Sequence, residues 1–290
     1  MKPGFGGHTW AAVIVNYNAG GALCGCVASV LADDSAGSAE VVVVDNASTD
    51  GSAEALRARY PDVAVVEAGE NLGYARAVNL GIAATGAEVV AVLNPDTVVH
   101  PGTAAAMLGR FRAEGDLGAL GPQLRNADGS VYPSARRLPS ALDAVGHGLA
   151  FFVWPANPFT ARYRQTGADT TRPRDADWVS GAAVWLRRRA LDAVGGWDER
   201  YFMYVEDVDL CWRLRRGGWR VAYEPAGVVD HLLGISTGAV PYRMIAEHHR
   251  SLWRFATIRF TGPRRVALPF AAAFLGLRAA LAMAHHRFAR

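Results

Sequence analysis

Lysine is almost missing from this 290-residue chain: Lys2 is the only one, and the other 29 of its 30 basic residues are arginine. The planar fork of guanidinium suits phosphate recognition. A genomic preference for arginine and alanine explains the same usage, so it carries little weight by itself. Cysteine is scarce as well. Cys24, Cys26 and Cys211 give neither a disulfide framework nor zinc spacing, and they read as small packing residues in a reducing compartment. The opening stretch, "MKPGFGGHTWAAVIVNYN", has no long apolar core and no cleavage site, so no secretion signal is expected. Internal repeats and low-complexity tracts are missing too.

Two further absences narrow the chemistry. No G-x-G-x-x-G follows the first apolar run, where "NYNAGGAL" has the wrong spacing, which argues against a dinucleotide oxidoreductase. No Walker A sequence occurs, and "NYNAGG" holds no Lys or Arg, which argues against a nucleotidyltransferase with a basic glycine-rich phosphate loop. The composition, 51% hydrophobic and 20% charged, is that of a globular protein. Its net charge of +3 conceals an asymmetry. Residues 1–100 carry 4 basic against 11 acidic side chains, whereas residues 241–290 carry 9 arginines and one glutamate. That basic end suggests an anionic partner, a membrane surface or a phosphate. No recognised nucleic-acid module accompanies it, so no nucleic-acid partner is expected.

The first hundred residues repeat one pattern. "WAAVIVNYN", "AEVVVVDNASTDGS", "VAVVEAGENLGYARAVNLGIAATG" and "AEVVAVLNPDT" each read as a buried strand that ends in polar residues, with helices between them. Such alternation predicts an α/β fold with a Rossmann-like, mostly parallel central sheet flanked by helices, and further helices at the C-terminal end. Ligands in such sheets sit beyond the carboxyl ends of the strands, where Asn16, Asn18, Asp45, Asn46 and Asp96 fall. The second half predicts a strand and a hairpin over 117–140, with "ADGS" as the turn, and an irregular loop or lid over 150–175. It also predicts a strand with Gly181 inside it, a helix from about Val205, separate strands "RVAYE" and "GVVDH", and helices from about Tyr242 and Pro263.

The polar strand ends invite two readings each. Asp45 can accept from a nucleotide's ribose or base, or its loop can merely cap the next helix. Asp96, after a proline that fixes the turn, is placed to hold Mg2+ or Mn2+ together with substrate phosphates. His231 is a candidate second ligand or an ordinary hydrogen-bonded loop histidine. In "YFMYVEDVDLCWRLRRGGW", Glu206, Asp207 and Asp209 open a helix, where acids favour the macrodipole by about 0.3–1 kcal/mol. Asp209 can pair with Arg213 one turn on. Leu210 and Leu214 mark the buried face.

"VIVNYN", "VVVDNASTDGS", "ENLGYARAVNLGI", "LNPDT" and the Glu-Asp helix start, in this order, resemble the family 2 glycosyltransferases of the GT-A fold. The segments "GALGPQLRNADGSVYPSARRLPS", "FFVWPANPFTARYRQ" and "GGWDERYFMYVEDVDL" further resemble the rhamnosyltransferases that act on polyprenyl-diphosphate-linked N-acetylglucosamine in cell-wall polysaccharide synthesis. The resemblance implies an inverting, metal-dependent transferase in which Asp207 is the base and Glu206 orients the acceptor or tunes its neighbour. It implies donor nucleotide contacts from Asn16, Tyr17, Asn18, Asp45, Asn46, Asn71, Gly73, Ala75, Asn79 and Asn94. Asp96 and His231 are the implied ligands of Mg2+ or Mn2+, with Asn94 standing where the first aspartate of a D-x-D motif is common.

On that reading residues 1–100 form the nucleotide-sugar-binding half, residues 101–240 the acceptor half with Trp178, Gly181 and Arg136, and residues 241–290 basic helices at a membrane interface. The partners implied are dTDP-L-rhamnose or a UDP-sugar, a polyprenyl-diphosphate-linked sugar acceptor and an anionic membrane surface, on the cytoplasmic face of the cell membrane. The apolar stretch after Pro263 is interrupted by Pro269 and Arg278, and it also suits core or homodimer packing. The competing reading is a catalytically inactive nucleotide-sugar-binding scaffold, against which the presence of both Asp207 and Asp96 argues.

Overall fold

Alternate residues of the first strand, β1 (Trp10–Asn16), enter two different cores, because successive side chains of a strand point to opposite faces. Trp10, Ala12 and Ile14 pack into one; Val13 and Val15 pack into the other. A computed structural model describes residues 10–151, 154–165, 167–232 and 241–288. Residues 1–9, where no signal sequence is expected, lie outside the described residues, as do 152, 153 and 166 of the expected lid.

The first half follows the expected alternation. After β1 come α1 (Ala22–Ala32), β2 (Glu40–Asp45), α2 (Ser52–Arg59), β3 (Ala64–Glu67), α3 (Tyr74–Ala83) and β4 (Val89–Leu93). β1, β2, β3 and β4 pair in parallel, in the spatial order 3-2-1-4. The second half adds β5 (Thr97–Val99), α4 (Thr103–Ala113), β6 (Leu117–Arg125), β7 (Val131–Tyr132), β8 (Ala135–Arg136), α5 (Ala141–Ala150) and α6 (Pro158–Arg164). Next are β9 (Arg174–Asp175), β10 (Trp178–Val179), β11 (Ala183–Arg187), α7 (Arg188–Val194), α8 (Glu206–Arg216), β12 (Arg220–His231), α9 (Pro241–Arg259) and α10 (Leu268–Phe288). The sheet continues 4-11-6-12-5, with β11 antiparallel to both its neighbours and β12 parallel to β6.

Four details differ from the sequence expectations. The loop over 150–175 contains α6, opened by the Asn157 side chain, which accepts the Thr160 amide hydrogen, and by Pro158 in the first turn. "RVAYE" and "GVVDH" are one strand, β12, with an irregularity between Glu224 and Val228 where the Pro-Ala-Gly insertion falls out of register. Gly181 is not inside a strand: the chain leaves β10, which pairs with β8, and enters β11 of the main sheet. Pro269 does not interrupt α10 but occupies its second position, where a missing amide hydrogen costs nothing. The expected hairpin is present: β6 and β7 pair antiparallel across a turn in which Gly129 has φ 79°.

One glycine is demanded by both conformation and space. Gly73 has φ 81°, and a Cβ there would lie 2.5 Å from the Phe202 carbonyl oxygen. The next amide, of Tyr74, donates to that same oxygen at 2.7 Å, joining the start of α3 to the segment that leads into α8. Gly73→Ala is therefore expected to destabilise the protein by about 2 kcal/mol or more. Denaturant unfolding should show a lowered midpoint at unchanged slope; an unchanged midpoint would mean that the two segments are not held together as described.

Candidate active site

The ends of β1 and β2 form a polar rim because Asn16 and Asp45 stand opposite each other in the parallel register. The Asn16 amide nitrogen lies 2.9 Å from Asp45 Oδ1, 3.0 Å from Ser48 Oγ and 2.8 Å from Ser52 Oγ. Its own Oδ1 is buried without a partner. Asp45 is also buried and accepts the Ser48 amide hydrogen at 3.3 Å. It is not the cap of α2: the cap position is Gly51, in a left-handed conformation with no side-chain cap. Asn18 takes the Thr49 amide hydrogen at 2.8 Å, and Tyr17 stands exposed between Asn16 and Asn18.

A second set of the implied donor residues braces the rim. Asn46 donates to Asn71 Oδ1 at 3.1 Å and accepts the Leu72 amide hydrogen at 2.9 Å, and Asn71 accepts from Gly73. Ala75 is fully buried in the core. The Asn79 side chain accepts from the Trp197 amide at 3.0 Å and donates to the Trp197 carbonyl at 2.8 Å. These contacts occupy Asn79 in clasping α3 to the turn before α8.

The far side of the rim carries the candidate metal ligands. β12 runs antiparallel to β5, which sets His231 opposite Thr97 and beside Asp96. His231 Nε2 lies 3.3 Å from Asp96 Oδ1 and 3.3 Å from the Asn94 amide nitrogen. Both side chains are nearly buried, at 12% and 9% exposure, so the pair is not a solvated surface contact. Among the described residues no three His, Cys, Asp or Glu side chains converge into a metal cage. One carboxylate and one imidazole beside an amide fit a hard divalent ion that takes its remaining ligands from phosphate and water. Cys26, 3.4 Å from Thr97 Oγ1, is no thiolate ligand, since burial pushes its thiol up to about 12.

Asp207 reaches this rim through backbone. Its Oδ2 accepts the Gly181 amide hydrogen at 2.9 Å, and its Oδ1 accepts that of Val208 at 2.8 Å. The next carbonyl, of Ala182, accepts from the Asn94 amide at 2.8 Å, two residues before Asp96. The Tyr74 hydroxyl closes the arrangement by donating to the Gly181 carbonyl at 2.9 Å. Burial, followed by the charges of Glu206, Asp207 and Asp96, holds that phenol well above its ordinary range. One hydroxyl thus senses the Glu-Asp helix start and the metal-side aspartate together.

Residues 11–195 match the family described as "Glycosyl transferase family 2". The chain is 41% identical over 261 residues, 86% of its length and 83% of the relative's, to N-acetylglucosaminyl-diphospho-decaprenol L-rhamnosyltransferase of Mycobacterium tuberculosis. The chain belongs to glycosyl transferase family 2. Among solved structures it is similar to the mannosyltransferase PcManGT from Pyrobaculum calidifontis in complex with GDP-Man and Mn2+. That match has TM-score 0.59 and 20% identity and covers 97% of this chain and 76% of the other. It is also similar to TarS 1-349 of S. aureus in complex with UDP-GlcNAc, with TM-score 0.56 and 14% identity over 86% and 66% of the two chains. The α/β fold with its mostly parallel sheet is the GT-A fold.

In this glycosyltransferase the two acids that open α8 are not solvated helix-start charges. Both are held above the ordinary carboxylate range, chiefly by burial, with the neighbouring Asp207 charge adding to the shift at Glu206. Glu206 Oε2 is buried without a partner, whereas Asp207 is favoured as an anion by its two amide donors and by Arg136. Burial without a partner favours the neutral form at Glu206, while the amide donors and Arg136 oppose the rise at Asp207. Asp209 is fully buried and bonds Arg213 at 2.7 Å, as its spacing suggests. Arg213 in turn donates to the carbonyls of Val194 and Gly196, pinning α8.

The acceptor-side residues act as a frame around Asp207. A Cβ added at Gly181 would sit 3.2 Å from the Asp207 Cβ, so this glycine allows the carboxylate to approach the backbone. Trp178 is buried and carries the Arg136 guanidinium 5.0 Å above its ring. Sequence reasoning missed Tyr74, because an aromatic residue at a helix start looks like core. It also missed Tyr204 and Val205, at φ 69° and 68°, the consecutive left-handed residues that turn the chain into Glu206.

These assignments separate the two acids experimentally. Asp207→Asn is expected to lower sugar transfer by about a hundredfold or more. Glu206→Gln, which copies a neutral acid, should keep transfer within about tenfold. The two proteins should also differ in stability against pH. A raised glutamate stabilises the fold only while protonated: the contribution is complete below the unfolded value, about 4.3, and is lost as pH rises through the raised folded value. Glu206→Gln should flatten that decline in thermal unfolding. Equal loss of transfer in both variants would remove the distinction between the two acids, and a larger loss in Glu206→Gln would reverse their roles.

Proposed function

We propose that this glycosyltransferase moves a sugar, L-rhamnose from dTDP-L-rhamnose, onto a polyprenyl-diphosphate-linked N-acetylglucosamine by inverting displacement. The observation that carries the reading is the bridge from Asp207 through Gly181 and Ala182 to Asn94, two residues from Asp96. The likeness to the mycobacterial rhamnosyltransferase across most of both chains supports the choice of sugar and acceptor. Residues 1–100 hold the donor and residues 101–240 the acceptor.

In the reaction Asp207 takes the proton from the acceptor hydroxyl while its oxygen attacks the anomeric carbon and the bond to the diphosphate breaks. A single displacement inverts the anomeric centre, so a β-linked donor yields an α-L-rhamnoside. A divalent cation held by Asp96 and His231 would supply Lewis acidity to the departing diphosphate. The rim of Asn16, Asp45 and Tyr17 meets the nucleoside, and the Asn46–Asn71–Gly73 turn fixes its shape. The scaffold reading is disfavoured because two buried acids are costly to keep without a reaction.

The basic end supports attachment at the cytoplasmic membrane surface, where such an acceptor resides. Residues 262–287 are long and apolar enough to cross a membrane by length and composition, and the most apolar stretch is not buried in the protein. Phe270, Leu277 and Leu281, spaced along one face of α10, are exposed at 76%, 53% and 40%. An apolar stripe flanked by arginines matches an interfacial helix on anionic lipid.

Two measurements test this reading. dTDP-L-rhamnose with Mn2+ at a hundred times its dissociation constant should add about 2.7 kcal/mol of stability, and Asp96→Ala should remove the Mn2+-dependent part. Stabilisation by UDP-sugars alone would transfer the reading to another donor. Replacing Phe270 and Leu277 by glutamate in the full chain should lower binding to phosphatidylglycerol-containing vesicles at least tenfold without altering donor binding. Unchanged vesicle binding would remove the interfacial helix.

A further inference from the structure

Arg136, the cation that acts on Asp207, belongs to a group whose other members the transfer step does not use. Arg136 of β8, Arg164 of α6 and Arg278 of α10 come from distant parts of the chain and converge around His147 of α5. The convergence is visible in the His147 imidazole, which burial and then Arg278, Arg164 and Arg136 together push down to about 4. Contacts place the same groups in one compartment. His147 stacks on Tyr163 at 5.0 Å, and Arg136 lies 5.6 Å over that same Tyr163 ring. Arg164 lies 5.2 Å over Phe151, which also stacks on His147. α10 is seated against α5 so closely that Arg278 Cδ is 3.1 Å from where a Cβ at Gly148 would stand.

Among the described residues none of these three arginines forms an ion pair with a carboxylate. Arg136 spends its hydrogens on the Pro133 carbonyl and the Tyr132 hydroxyl. Arg278 donates to His249 Nε2 at 3.0 Å, with His249 Nδ1 on the Ile245 carbonyl at 2.7 Å, which makes His249 a neutral acceptor. Arg164 Nε is buried with no partner at all. Partly buried cations without counter-charges are costly, and proteins ordinarily pair them.

A cavity lined in part by β9 and β12 offers a comparison. That space, of about 710 Å³, is also lined by arginines, but Arg215 is paired with Asp177 and Arg220 with Asp175 and Glu114. Two of its four arginines are thereby neutralised, whereas Arg137 and Arg174 form no ion pair among the described residues. Around His147, Arg164 and Arg278 have no carboxylate partner among the described residues, and Arg136 acts on Asp207 without bonding it.

We propose that Arg136, Arg164 and Arg278, gathered around His147, form the subsite for the diphosphate of the lipid-linked acceptor, with the C-terminal helix α10 contributing one of its three cations. This rests on the acceptor reading above. A diphosphate supplies the missing negative charge and several acceptor oxygens, which planar guanidinium forks bind in pairs. The acceptor sugar then extends from the anchored diphosphate toward Asp207, and the lipid toward the exposed apolar face of α10. Binding energy from a group remote from the reacting carbon is used to orient the attacking hydroxyl.

The test compares farnesyl-diphosphate-linked N-acetylglucosamine with farnesyl N-acetylglucosaminide, which lacks the diphosphate, by calorimetry in EDTA without donor. The native protein should prefer the diphosphate probe, and dTDP should not displace it. Arg164→Gln with Arg278→Gln should weaken that probe by about tenfold or more per lost charged contact, leave the neutral probe unaffected and leave the KM for donor unchanged. The unliganded variant should melt no lower than the native protein, because it has lost unpaired buried charge. An unaltered preference for the diphosphate probe, or displacement by dTDP, would overturn the assignment. A drop in melting temperature with the preference intact would make the arginines structural and overturn it equally. Binding without transfer would instead sink the transferase reading and leave the subsite standing, so the two failures are distinguishable.

Discussion

Two successive peptides, at Gly181 and Ala182, tie three elements of the candidate site together. The amide of the first binds Asp207, its carbonyl receives the Tyr74 hydroxyl, and the carbonyl of the second receives the Asn94 amide. Each partner belongs to a different element: α8, α3 and the end of β4. Backbone groups at the head of a sheet strand move little, and a hydrogen bond from an amide to a carboxylate is stronger than a neutral one. The distance between Asp207 and the polar rim is therefore set by the sheet itself, not by flexible side chains. A chain that needs sub-ångström placement of a proton acceptor gains it from such an anchor.

That anchor works against considerable local cost. Val205 is β-branched yet left-handed, and Tyr204 before it is left-handed as well, at about 1–3 kcal/mol each. Glu206 is buried with an unpaired oxygen. The offsetting contacts lie around the helix start rather than in it. Phe202 is tied to α3 through Tyr74 and the tight approach of Gly73, the Trp197 backbone is clasped by Asn79, and Arg213 fastens α8 to Val194 and Gly196. Residues that a motif comparison assigns to the donor thus divide in two. Asn16 and Asp45 shape the rim, whereas Asn79 clasps the Trp197 backbone and Ala75 is buried in the core. Burial then raises both acids above the ordinary carboxylate range.

The first half of the fold was legible because its strands are local and continuous. Four valines before Asp45, or "VVAVL" before Asn94, leave little choice but buried strands ending in polar residues. The helix start at Glu206 was legible from its acids, and the Asp209–Arg213 pair from its spacing. What escaped depends on long-range placement. Nothing in "SGAAV" announces that the chain changes sheets at Gly181, since the side chains on both sides are small and apolar. Glu224 to Gly227 look like a strand break, yet pairing with β6 carries β12 through them. Asn157 and Pro158 do signal the start of α6, but aromatics and arginines without a period concealed it. Tyr74 and Arg278 acquire meaning only from neighbours more than a hundred residues away, at Gly181 and His147.

The asymmetry of charge along the chain follows from the same architecture. The first hundred residues are strongly acidic, and the rim where a nucleotide diphosphate would rest carries Asp45 and Asp96 rather than arginines. An anionic donor would meet net repulsion there unless a cation accompanied it, which agrees with the metal role proposed for Asp96 and His231. The arginines gathered around His147 form no ion pair with a carboxylate among the described residues, and a phosphate would need no metal to be received there. On the reading proposed above, a donor accompanied by a mobile ion and an acceptor met by fixed guanidinium would be kept from exchanging places by that difference. The arginine that α10 brings to this pocket turns inward toward His249 while Phe270, Leu277 and Leu281 face out. One helix thereby joins the charged compartment beside the base to the apolar outer surface.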